Sequence, residues 1–152
     1  MTPATRWRDR VACEDGTAVV EFVVLAVLVL VPLLYVVMCV ARVQAAAYAA
    51  TQAVREAGRA YVTSDSVAQA AQRAGTAARL AVSDQGFELP AGALSVTCAG
   101  GACLSPGSQV RVRVHLDVPL PLLPDALADT VPSTIPVVAT HLAAVDSYRA
   151  DP

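Results

Sequence analysis

From Phe22 to Ala41 the chain runs for 20 consecutive residues without a charge, FVVLAVLVLVPLLYVVMCVA, closed by Glu21 on one side and Arg42 on the other. A bilayer core takes about 20 apolar residues as a helix, so residues 22–41 form a candidate membrane span. A buried helix of a soluble domain is the competing explanation, and so uniform a run disfavours it. Pro32 sits mid-run; it predicts a local kink, which spans tolerate. Hydrophobic residues make up 55% of the 152-residue chain and charged residues 16%, too apolar a balance for an ordinary soluble globule.

The same composition narrows the chemistry. All 11 basic residues are arginine and the formal net charge is -2, which excludes a strongly basic nucleic-acid binder. Aromatic residues are only 5%, so stacking platforms for single-stranded nucleic acid are missing too. No nucleic-acid partner is expected. His115 and His141 are isolated, and Cys13, Cys39, Cys98 and Cys103 are scattered; no metal or other cofactor is expected. There is no Gly-rich phosphate loop and no nucleophile–base order. His115 and Asp117 share a strand face, where a solvated surface is the simpler explanation. The chain is expected not to be an enzyme.

Three readings of the apolar run compete: a permanent anchor, a cleaved secretory signal, or the stem of a pilin-like protein. A secretory signal has a shorter apolar core of about 7–15 residues. Ala45-Ala46-Ala47 would nonetheless serve as a peptidase site, releasing a soluble binding module that starts at Tyr48. Arginines flank the run almost evenly, with Arg6, Arg8 and Arg10 before it and Arg42 and Arg55 after it, so the positive-inside count decides little. The shortness of the leading segment, and a cysteine pair suited to an oxidising compartment, place the N-terminus in the cytoplasm and the C-terminal part outside it.

Along the chain, residues 1–16 read as a polar leader. Helical periodicity then continues past the span: Val36, Val40, Val43, Ala47, Ala50, Val54, Ala57 and Tyr61 form one apolar seam, with Arg42, Gln52, Arg55, Glu56 and Arg59 off it. One helix is predicted over 17–62, ~45 residues and roughly 65–70 Å long. The seam is mostly Ala and Val, and small side chains permit close helix approach. It serves either inter-subunit packing or the cover of this protein's own C-terminal domain. A second helix is predicted from Ser66 to Val82, with Ser64 and Asp65 as N-cap candidates and Gly86 and Pro90 ending it. Strands follow at 94–98, at 110–118, where Val, Val, Val, Leu, Val alternate with Arg, Arg, His, Asp, and at 137–148. Residues 64–152 are thus expected to form a small α+β domain behind a long transmembrane helix. Its core is short of large apolar side chains.

Cys98 and Cys103 frame TCAGGACL with Gly100-Gly101 between them. The spacing suits a disulfide at the tip of a hairpin between the strands at 94–98 and 110–118. Two free thiols, or half of a zinc site, are the alternatives. Cys39 inside the span reads as a small apolar residue.

The most informative stretch is Gly16-Thr17-Ala18-Val19-Val20-Glu21-Phe22. A carboxylate near a bilayer centre costs about 2–3 kcal/mol and less at the edge, so Glu21 at the mouth of the run asks for an explanation. An interfacial position would suffice. The arrangement is also similar to the type IV prepilin processing signal, in which a membrane peptidase cuts after the Gly and the Glu stands fifth in the mature chain. Cleavage between Gly16 and Thr17 would create an α-amine on Thr17, largely protonated at neutral pH. Glu21 of one subunit would then pair with the amine of its neighbour and fix axial register.

The resemblance extends through GTAVVEFVVLAVLVLVPLLYVVMCVARVQAAAYAATQAVREAGRA, about 45 residues that look like the TadE family of pseudopilin-like proteins of Flp (tight adherence) pilus systems. The matching features are Ala18-Val19-Val20-Glu21-Phe22, the continuous span, and Ala53-Val54-Arg55-Glu56-Ala57-Gly58-Arg59-Ala60. The last is similar, with one residue shifted, to an Ala–Arg–Glu–Gly–Ala–Arg run. The resemblance implies a non-enzymatic, single-pass protein of the cytoplasmic membrane, pilus or cell surface. It implies processing by prepilin peptidase at Gly16 and Thr17, and subunit register set by Glu21 and Phe22. Its implied partners are the lipid bilayer, other pilin-like subunits and the Flp/Tad inner-membrane machinery. A secreted or tethered binding module unrelated to pili, and a membrane-tethered enzyme or accessory subunit, are the alternatives from other classes.

Overall fold

The computed structural model describes residues 15–99, 102–121 and 132–148. The leader up to residue 14, with Cys13, and the Gly100-Gly101 pair lie outside the described residues. The chain divides into two compact units, Met1–Cys39 and Val40–Pro152.

Helix α1 runs from Asp15 to Val62, 48 residues, and continues through Pro32. Within the first unit its large apolar side chains are exposed, Phe22 at 71% and Leu28 at 66%. By length and composition, the helix is apolar enough to cross a membrane.

The second unit is α+β. The Val40–Val62 part of α1 is followed by α2 (Val67–Ser83) and by three strands, β1 (Leu94–Ala99), β2 (Gln109–Pro119) and β3 (Thr134–Ala144). The strands form an antiparallel sheet in the order β1-β2-β3, with Val96 opposite Val112 and Val112 opposite His141. Strand alternation does what it predicts: Val110, Val112, Val114, Leu116 and Val118 of β2 are buried, while Arg111, Arg113, His115 and Asp117 face solvent. The helices cover the inner face. Ala50, Ala53, Val54, Ala57 and Tyr61 of α1 and Ala70, Ala74, Ala78, Ala81 and Val82 of α2 join Val110, Val112, Val114 and Leu116 of β2 in one core. Each buried valine contributes about 1.5–3 kcal/mol. Burial holds the Tyr61 phenol above its ordinary pKa, so the ring stays neutral in the core.

The core settles what the small-residue seam does over this stretch, and revises its composition. Ala50, Val54, Ala57 and Tyr61 are buried as expected, and Ala46, Ala49 and Ala53 are buried with them. Ala47 is exposed instead, as are Val36 and Val40. The buried face is wider than the seam and turned towards Ala46, Ala49 and Ala53, while Thr51, Gln52, Arg55 and Arg59 keep the opposite face in solvent. At Gly58 the helix lies close against the sheet. A Cβ there would stand 3.1 Å from Ala143 Cβ, 3.3 Å from His141 Cδ2 and 3.7 Å from Val112 Cγ2.

Helix α2 begins one step later than Ser64 and Asp65 suggest. Ser66 is the N-cap, its hydroxyl accepting from the Gln69 backbone N–H at 3.4 Å, while Gln69 Oε1 accepts from the Asp65 N–H. Ser64 is buried, and its hydroxyl donates back to the Ala60 carbonyl at 2.7 Å. The helix closes on Gly86, at φ 75°. The Phe87 N–H bonds the Val82 carbonyl and the Gly86 N–H bonds the Ser83 carbonyl, the Schellman pattern that favours glycine at the left-handed position.

The last strand starts three residues earlier and ends four earlier than the 137–148 expectation, because β3 pairs along the whole of β2, from Thr134 against Pro119 to Ala144 against Gln109. Pro136 is accommodated because β3 is an edge strand in this sheet.

Candidate functional site

Gly16 and Thr17 lie in the first turn of α1, and Glu21 one turn further on. Thr17, Val20, Glu21, Val24, Leu25 and Leu28 line one open face of the helix. Their spacing of three and one repeats the seam by which two helices pack. Glu21 and Phe22 are both exposed. Among the described residues, the Glu21 carboxylate has no hydrogen-bonding or ionic partner. It is also the one charged residue between Thr17 and Ala41. The site is thus an apolar stripe carrying a carboxylate near its N-terminal end.

The second feature is a disulfide. Cys98 and Cys103 are bonded, with their Cα atoms 5.1 Å apart. The bond does not join the two strands. Cys98 ends the inner face of β1 opposite Val110, and Cys103 belongs to the connecting loop, where it packs beside buried Leu104 against the core. It therefore pins the β1–β2 connection onto the edge of the core. Closing so short a loop stabilises by about 2 kcal/mol. Reducing it in the full chain should lower the melting temperature by roughly 10 °C in a unit of this size. An unchanged melting temperature in calorimetry would remove that role.

His115 Nε2 and Asp117 Oδ1 do meet, at 3.2 Å, on the outer sheet face with both side chains about half exposed. Such a pair contributes little to stability. No group of His, Cys, Asp and Glu among the described residues is arranged to hold a metal ion. Two contacts were not foreseen from the sequence. One is the close packing at Gly58, signalled only by a glycine inside a helix. The other places the Arg42 guanidinium over the Phe87 ring, 5.0 Å from its centroid.

Comparison of the chain with protein-family models, with curated proteins and with solved structures finds no match. Fold and site alone define the class: an α+β unit whose first helix continues, towards the N-terminus, as an exposed apolar rod bearing one carboxylate.

Proposed function

We propose that this chain is a non-enzymatic, pseudopilin-like protein of a Flp/Tad-type pilus assembly system, anchored in the cytoplasmic membrane by residues 22–41. The carboxylate of Glu21, exposed and without a partner among the described residues on an otherwise uncharged apolar stripe, carries this reading. A charge there is costly in lipid unless a neighbouring chain supplies the opposite one. Cleavage after Gly16 by a prepilin peptidase would supply it as the Thr17 amine of the next subunit. The partners are then the bilayer, other pilin-like subunits and the Flp/Tad inner-membrane machinery. The disulfide favours an extracytoplasmic location for the α+β unit, and hence a cytoplasmic N-terminus.

Release as a secreted module after Ala47 fits the packing less well. It would remove Ala46, fully buried, and Arg42, stacked on Phe87, from the folded unit. The mass of the mature N-terminus tests the proposal. Thr17 is the expected first residue. A chain beginning at Tyr48 would end the pilin-like reading, and one intact from Met1 would reduce the protein to a tethered domain.

A further inference from the structure

We propose that the turn after α2, with Phe87 directly following it, rests on the outer surface of the bilayer and that Arg42 holds it there. This inference rests on the membrane-anchored reading above. Three observations converge on it.

The second unit starts at Val40, the uncharged run ends at Ala41, and the first buried residue of α1 is Ala46, so packed structure begins about one turn beyond the end of the span. The first charge after the run, Arg42, lies with its guanidinium over the Phe87 ring. An arginine at that position belongs among lipid headgroups, its stem covering apolar surface and its head in the polar layer.

The lengths of the two helices agree. From Arg42 to Val62, α1 rises ~30 Å, and α2 returns over its 17 residues by ~25 Å. The capping at Gly86 then turns the chain so that Phe87 follows directly. The ring is half-buried and packs on the core with Leu89. Folding thus delivers an aromatic side chain to the level of the first residue outside the apolar run, the depth at which aromatic rings are enriched.

Charge identifies the kind of lipid contact. Exposed Asp84 and Glu88 flank the turn, so with Arg42 the patch carries no positive excess. It is not built to collect anionic lipid. Its partner is the headgroup–acyl boundary of any bilayer, met through Phe87.

The test uses the full chain in lipid vesicles, with Trp7→Phe removing the one native tryptophan and Phe87→Trp reporting depth. Fluorescence of the indole introduced by Phe87→Trp should be quenched about twofold or more by lipids brominated near the headgroup, and much less by lipids brominated at the chain ends. The effect should be the same in zwitterionic vesicles and in vesicles containing anionic lipid. Gln85→Trp, at an exposed position of the same turn, gives an independent reading that leaves the core untouched. Thr63→Trp, at the far end of the helix pair, should remain unquenched. If both turn reporters are unquenched while the chain stays in the membrane after alkaline extraction, the inference is overturned and the anchor stands. If the chain is extracted, the anchor fails and the inference falls with it. Quenching that appears only with anionic lipid overturns the charge argument and, with it, the assigned role of Phe87.

Discussion

Replacing Gly58 by leucine should unfold the C-terminal unit, whereas alanine at the same position should change its stability only modestly. Inside a helix, glycine is worse than alanine by about 0.5–1 kcal/mol, so Gly58→Ala begins with a gain. Against it stands a Cβ placed 3.1 Å from Ala143 Cβ and 3.3 Å from His141 Cδ2. The imidazole edge yields easily. Ala143 sits on the β3 backbone and does not. Overpacking of this kind costs about 1–3 kcal/mol, so the net loss for alanine is at most about 2 kcal/mol. Leucine must push α1 away from β2 and β3 along the line where Ala53, Val54, Ala57 and Tyr61 join the core. Its cost should exceed about 3 kcal/mol, a large fraction of the stability of so small a unit. Gly75 of α2 is the control. A Cβ there meets only an arginine side chain at 3.8 Å, so Gly75→Ala should stabilise by up to about 1 kcal/mol. Thermal unfolding of the three variants in detergent would order them Gly75→Ala, Gly58→Ala, Gly58→Leu. A folded Gly58→Leu protein would show that the helix does not lie on the sheet at this distance.

The second large effect concerns Glu21. A Glu21→Ala chain should still be inserted and cleaved, yet associate poorly with its neighbours. Removing the carboxylate lowers the cost of insertion rather than raising it, by up to about 2–3 kcal/mol for a charge deep in the bilayer. A defect therefore cannot be traced to a failed anchor. On the proposed reading, what is lost is the partner of a neighbour's desolvated Thr17 amine, and breaking a buried charge pair costs about 3–5 kcal/mol. That corresponds to a fall of roughly 100-fold or more in the association constant. Glu21→Asp should retain part of the association and Glu21→Gln almost none. Cross-linking of membrane-embedded subunits, with the N-terminal mass measured on the same samples, separates assembly from processing. Full association of the alanine variant would leave Glu21 no part in register.

The outer wall of the sheet is as exposed as its alternating sequence implies, and α2 ends at the Gly86 that the sequence marks, although its cap is Ser66 and not Ser64 or Asp65. The strand face and the helix end were legible because each rests on local chemistry, a period of two and a left-handed turn; three adjacent cap-forming residues left the helix start undecided. The frame of β3 was not. Ala143-Ala144 and Pro136 blur its alternation, and only pairing with β2 sets it. The cysteine pair was recognised, but its role as a clasp within the β1–β2 connection depends on where Cys103 meets the core.

Sequence alone determined that a long apolar rod precedes a small α+β unit, that Glu21 is the charge which interrupts the rod near its start, and that Cys98 and Cys103 suit one another. The tertiary structure decided which alanines of α1 are buried, that burial along the helix begins at Ala46, and that Gly58 meets Ala143 and Arg42 meets Phe87. The reason is physical. Charged and polar residues mark the solvent side of α1 by local periodicity, whereas how far a stripe of alanines is covered depends on the sheet and helix that pack against it.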